Sequence, residues 1–204
     1  MNERNQRLRR LEAFFAETKH PWGDEPDKLV VDHIDDFLRG SVLDLGCGDG
    51  RNALHLAQRG FAVTAVDIVP AAIDELRREA DSRDLAIETR VADVATFPVS
   101  RPYANVVCTL TLHFLPRDQA TKLLARVKRQ TAPSGLNVIS VYTSDGPLYL
   151  PESEAFWLAP GELRGLYDDW EMVYSGRRNS HTTARSETGD PFVQPTDEVV
   201  ARKR

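Results

Sequence analysis

Residues Val42-Leu43-Asp44-Leu45-Gly46-Cys47-Gly48-Asp49-Gly50 place three glycines at alternate positions behind a short apolar run, with an acid just before the first. Glycine belongs where a backbone turns sharply or must touch a ligand. The spacing is Gly-x-Gly-x-Gly, not the Gly-x-Gly-x-x-Gly of a dinucleotide fingerprint. Asp44 would repel a pyrophosphate and attract an ammonium group. Two further acids stand at the ends of apolar runs: Asp67 after Phe61–Val66 and Asp93 after Ala86–Val91. Ligands of open α/β sheets bind at the carboxyl ends of strands. A carboxylate at Asp67 can accept both hydroxyls of a ribose there. One at Asp93 can accept from an adenine amino group, with Val94 packing on the ring. Each acid alone is more often a helix cap. Together with the glycine loop, the three fit a ligand with ammonium, ribose and adenine parts, which S-adenosylmethionine combines.

The elements that must position these residues alternate. Strands are expected at Ser41–Leu45, Phe61–Val66, Ala86–Val91, Asn105–Thr109 and Leu136–Tyr142. Helices are expected over Arg51–Arg59, from Pro70 to about Ala80, and over Arg117–Gln130. Gly60 and Pro70 are the matching stop and start signals. Strand–helix alternation requires crossover connections, hence a mainly parallel sheet covered on both faces. Two amphipathic helices precede it, at 7–17 and 25–38. Residues 144–160 read as a loop or lid and Gly161–Trp170 as a helix. Runs such as Glu-Met-Val-Tyr in the tail suit antiparallel edge strands. The expected fold class is α/β, Rossmann-like, organised as one domain over 1–204. Residues 1–40 cap the cofactor site, 41–143 form the cofactor-binding core, and 144–204 form the substrate side.

The 204 residues carry a formal net charge of -5, which argues against a nucleic-acid partner. No apolar run approaches the ~18 residues of a membrane span, and the N-terminus lacks the apolar core of a signal peptide. Two cysteines, Cys47 and Cys108, make no disulfide framework, and the five histidines show no metal-ligand spacing. The expectation is a cytoplasmic protein, monomer or homodimer, acting on a small molecule without membrane, nucleic-acid or metal partners.

The stretch 41–142 resembles the class I S-adenosylmethionine-dependent methyltransferases, whose Asp/Glu-x-Gly-x-Gly-x-Gly hallmark Asp44–Gly50 matches in full. The resemblance implies S-adenosyl-L-methionine as cofactor and S-adenosyl-L-homocysteine as product. It implies cofactor contacts from Asp44, Gly46, Cys47, Gly48, Gly50, Asn52, Asp67, Ile68, Asp93, Val94 and Thr109. One departure is Asn105 (or Ala104), where many members carry Asp; that position usually supports structure. Arg51-Asn52 after the loop, the segment Gly161–Val173 and the closing Val199–Lys203 are similar to the tellurite-resistance methyltransferases. That family implies methylation of a tellurium or selenium oxyanion, or of another soft nucleophile. It also implies His181 and Arg185 at the acceptor, with Arg177 as the alternate. Arginine is the preferred fork for oxyanions, while a solvated hairpin accounts for the same basic cluster equally well. Three alternatives stay open: another small O-, N- or S-nucleophile, served by a base such as His113 or His181; a non-catalytic S-adenosylmethionine sensor; and core-filling roles for His113, Trp22, Phe156 and Trp157. Thr109-Leu110-Thr111-Leu112 lacks the Asn/Asp-Pro-Pro-aromatic loop of enzymes that methylate base amino groups.

Overall fold

The computed structural model describes residues 8–9, 11–13, 15, 20–185 and 188–204. Seven strands form one sheet: β1 (Ser41–Leu45), β2 (Ala62–Asp67), β3 (Ile87–Val91), β4 (Tyr103–Thr109), β5 (Thr131–Tyr142), β6 (Glu171–Arg185) and β7 (Pro191–Arg202). Their order is β3-β2-β1-β4-β5-β7-β6. β1 pairs in parallel with both β2 and β4, so the topology reverses direction between β1 and β4. β7 runs antiparallel to β5 and β6 antiparallel to β7, which is the antiparallel pair expected at one edge of the sheet, with β6 outermost.

Burial on both faces explains the unbroken apolar runs. Val42, Leu43 and Leu45 are fully buried, and adjacent residues feed opposite cores. Leu43 and Leu45 pack with α4 (Arg117–Gln130) and α5 (Glu162–Gly165) on one face. Val42 packs with α1 (Lys28–Asp32), α2 (Arg51–Gln58) and α3 (Pro70–Ser82) on the other. Helix α4 shows the helical stripe plainly, burying Ala120, Leu123, Leu124 and Val127.

Two expected helices are shorter than their apolar spacing. The helix at 25–38 is α1 followed by a 3-10 turn at Ile34–Asp36, and the helix at 161–170 is only α5. Leu29, Val30, Ile34 and Phe37 are nevertheless buried, as are Leu163, Tyr167 and Trp170. The spacing reports a buried face, which turns satisfy as well as helix does. Strand β5 starts at Thr131 rather than Leu136, through an irregularity that carries Ser134 at φ 62°. Asn105 is structural: fully buried, its amide donates to Leu38 O (2.8 Å) and its oxygen accepts from Leu38 N (3.0 Å). Described residues between 8 and 15 are helical. No helix among the described residues is long and apolar enough to cross a membrane.

Candidate functional site

The glycine loop leaves β1 at the topological switch point, where crossover helices diverge and a crevice opens. Gly46 (φ +71°) and Gly50 (φ +97°) occupy left-handed backbone that side chains rarely adopt. Space forbids a side chain as well. A Cβ on Gly46 would lie 2.3 Å from the Thr111 side chain, and one on Gly50 2.3 Å from Leu76. The Thr111 hydroxyl donates to Leu45 O at 3.2 Å, tying the loop after β4 to the end of β1.

Above this loop lies a partly open cavity lined by residues of the loop, the ends of β2 and β4 and the N-terminal segment. Gly46, Cys47, Asn52, Asp67, Ile68, Asp93, Val94 and Thr109 line it, so eight of the eleven expected cofactor residues come together. The other three support the loop from outside the lining. Asp44 lies buried, Gly48 meets Trp22, and Gly50 precedes α2 against Leu76. Arg51, Leu110, Thr111, Phe114 and Leu115 line the cavity without having been singled out from the sequence as cofactor contacts. Arg51 has the clearest signal, since the residue opening the helix after a glycine loop faces the ligand. Leu11, Phe15 and Trp22 close the cavity from the N-terminal side. His20 Nδ1 lies 2.8 Å from Asp49 Oδ2 and fixes this segment to the loop.

Each acid sits differently. Asp67, at the end of β2, accepts from Gly48 N and Val69 N, both at 2.9 Å. Burial raises its pKa against those bonds. Asp93 accepts from Ala95 N at 3.0 Å. Asp44 is 1% exposed, and its Oδ2 has no hydrogen-bond partner among the described residues. Burial raises its pKa to about 7, against the pull of Arg51 and with a further push from Asp67. A buried carboxyl with an orphaned oxygen beside a cavity fits a cationic ligand group.

Asn52 is fixed on both sides of its amide, accepting from Asp27 N (2.8 Å) and donating to Thr109 Oγ1 (3.0 Å). The Asp27 carboxylate meets Arg51 Nη2 at 3.4 Å and Arg178 Nη2 at 2.6 Å through the same oxygen, Oδ2. His113 stacks on Tyr142 with centroids 3.9 Å apart, and Tyr142 stacks on Trp157 at 6.2 Å. Burial lowers the His113 pKa to about 3, so the ring is neutral. Phe156 belongs to the core. Cys47 and Cys108 are buried free thiols, whose pKa burial raises.

The tail residues lie apart from this cavity. Arg177 pairs with Asp145 (2.7 Å) and Asp197 (3.1 Å), and His181 and Arg185 are exposed. None of the three lines the cavity. Strand alternation accounts for two of them: Arg177 and His181 share the exposed face of β6, while Arg178 and Ser180 turn inward.

A family model described as tellurite resistance protein TehB matches residues 20–187. A probable S-adenosyl-L-methionine-dependent methyltransferase TehB from Haemophilus influenzae is 32% identical over 177 residues, covering 86% of this chain and 61% of that protein. The chain thus spans about three fifths of that relative's length. A crystal structure of TehB from Haemophilus influenzae superposes with a TM-score of 0.78 at 29% identity, covering 86% of this chain and 61% of that one. The N-methyltransferase NodS from Bradyrhizobium japonicum, in complex with S-adenosyl-L-homocysteine, shares the fold at 17% identity, with a TM-score of 0.72 over 97% of this chain and 98% of that one.

Proposed function

The chain belongs to the tellurite-resistance TehB family and has the Rossmann-like methyltransferase fold, and on that premise we propose that it is an S-adenosylmethionine-dependent methyltransferase acting on a small oxyanion of tellurium or selenium. The observation that carries the reading is the cavity at the β1/β4 switch point. It unites the glycine loop, Asp67 and Asp93 beside the buried carboxyl of Asp44, whose Oδ2 has no partner among the described residues. When bound, S-adenosylmethionine supplies an electrophilic methyl on a sulfonium sulfur. Asp67 would accept from ribose hydroxyls, Asp93 with Val94 would hold the adenine side, and Asp44 would balance cationic charge. Trp22, Phe15 and Phe114 cover the cavity and exclude water, which favours direct displacement over side reactions.

The state of His113 supports a soft acceptor. Its ring stands beside Phe114, with centroids 4.4 Å apart, and burial keeps it too weakly basic to take a proton near neutrality. A lone pair on tellurium, selenium or sulfur needs no such base; alignment and proximity suffice. The parallel array of His113, Tyr142 and Trp157 favours a second reading, a flat carbon-framed nucleophile.

The test is S-adenosyl-L-homocysteine formed from tellurite, selenite, thiols, catechols and amines. Turnover with the chalcogen oxyanions is expected. Turnover confined to carbon-framed acceptors would sink the oxyanion reading in favour of the second, and cofactor binding with no turnover would favour a sensor.

A further inference from the structure

Beyond the cofactor cavity, three donors converge with hydrogen-bonding capacity to spare. Tyr142 closes β5, 7% exposed, and its hydroxyl makes no hydrogen bond among the described residues. Tyr142 and Arg178 both pair with Thr196 of β7, so the two side chains leave the same face of the sheet in one row. The charges of Arg178 and Arg51 lower a phenol pKa that burial raises to about 12. The phenol is therefore a neutral donor. Arg178 uses Nη2 on Asp27 and sets Nε 2.8 Å from Glu198, while its Nη1 makes no hydrogen bond among the described residues. Arg51 uses Nη1 on Trp22 O (3.2 Å) and Nη2 on Asp27, while its Nε makes none. Arg51 also lines the cofactor cavity, so the cluster adjoins the place where a methyl would be presented.

We propose that the Tyr142 hydroxyl and the guanidiniums of Arg51 and Arg178, gathered by Asp27 beside the cofactor cavity, form an acceptor subsite that holds a singly charged chalcogen oxyanion. The inference deepens the proposed function and rests on that reading for its choice of anion. The guanidiniums donate to the acceptor oxygens of such a ligand, and the phenol can donate to an oxygen or accept from the one hydroxyl that a singly protonated oxyanion carries. The charge balance sets the preference. Asp27 and Glu198 offset the two arginines, so the subsite supplies directed N–H and O–H donors rather than a strong positive field. A monoanion such as hydrogen selenite suits it better than a dianion such as sulfate. The neutral ring of His113, stacked under Tyr142, holds the phenol in place without adding charge.

The experiment is calorimetric titration of selenite, and separately of sulfate, into the full chain loaded with S-adenosyl-L-homocysteine at pH 7. It reads binding whether or not any methyl is transferred. Wild type is expected to bind selenite at least tenfold more tightly than sulfate. Arg178→Gln should weaken selenite at least tenfold and Tyr142→Phe about threefold to tenfold, each leaving affinity for S-adenosyl-L-homocysteine within twofold. In turnover the loss should fall on KM for the oxyanion more than on kcat. Arg178→Gln removes a partner of two buried carboxylates; if it does not fold, Tyr142→Phe keeps that ion-pair network and decides alone. No selenite binding by wild type, sulfate bound as tightly, or selenite binding lost in His181→Ala and Arg185→Ala but kept in the Tyr142 and Arg178 variants would overturn the subsite. Selenite bound through Tyr142 and Arg178 but never methylated would leave the subsite standing and overturn the proposed acceptor.

Discussion

Replacing Asp44 with Asn keeps the shape of the side chain before the glycine loop and removes its ability to ionise. In the native fold this carboxyl has a pKa of about 7, chiefly because it is buried, against an ordinary value of 3.8. The fold therefore retains a proton that the unfolded chain has given up. Stability from that proton is present below pH 3.8, declines as pH rises from there to 7, and is gone above it. Three pH units correspond to roughly 4 kcal/mol. A cationic ligand opposes this retention. A positive charge about 6 Å away, at an effective dielectric of about 20, favours the ionised carboxylate by about 3 kcal/mol. That is about a hundredfold in proton affinity, so cofactor binding at pH 6 should expel most of one proton. Calorimetry of S-adenosylmethionine binding in two buffers of different ionisation enthalpy reads the number directly. Expected values are about 0.5–1 proton released at pH 6 and near zero at pH 8, with less release for S-adenosyl-L-homocysteine, which lacks the sulfonium charge. In Asp44→Asn the release at pH 6 should vanish. Zero release by wild type at pH 6, or an undiminished release by the variant, would refute the link between Asp44 and ligand charge.

Two further predictions concern Asp67 and His113. Asp67→Ala removes the carboxylate that pins Gly48 and faces the cavity, and should weaken S-adenosylmethionine binding by roughly 1.5–3 kcal/mol. Unchanged affinity by calorimetry would remove Asp67 from the site. His113 has a folded pKa of about 3, below its ordinary 6.5, so the unfolded chain binds the extra proton first. The stability that this depressed value contributes is complete above pH 6.5 and is lost on acidification toward pH 3, by at most roughly 4–5 kcal/mol. His113→Gln should flatten that part of the denaturation free energy against pH, and parallel curves for the two proteins would show that His113 is not held neutral.

The parts of the site legible in the sequence are those in which one residue type answers a local need. Gly46 and Gly50 stand at positive φ where a Cβ would collide with Thr111 and Leu76, so no other residue serves. Asp67 and Asp93 are readable because β2 and β3 end in view and each acid caps the following turn. Helix lengths were less legible for a related reason. Leu163, Tyr167 and Trp170 keep helical spacing through turns, because the sheet requires only that those side chains reach it. His113 and Tyr142 belong to loop and strand ends 29 positions apart, and only the tertiary fold stacks them.

The two adjacent arginines of β6 show where local reading stops. Arg177 and Arg178 have the same chemistry, and a strand must send one outward and one inward. A strand of uniform register would let parity be counted from Trp170, but the pairing of β6 with β7 slips between Met172 and Tyr174. One added residue on one strand exchanges the faces of everything beyond it. The slip leaves Arg177 on the outside with Asp145, and turns Arg178 toward Asp27, 151 residues earlier in the chain. Asp27 is itself placed by α1, whose N-terminus it caps by accepting from Leu29 N at 3.0 Å. The inward arginine thus depends on a bulge in one hairpin and a cap on a distant helix. The basic cluster of the tail is visible in the sequence, but the choice of the arginine that reaches the site is made by the register.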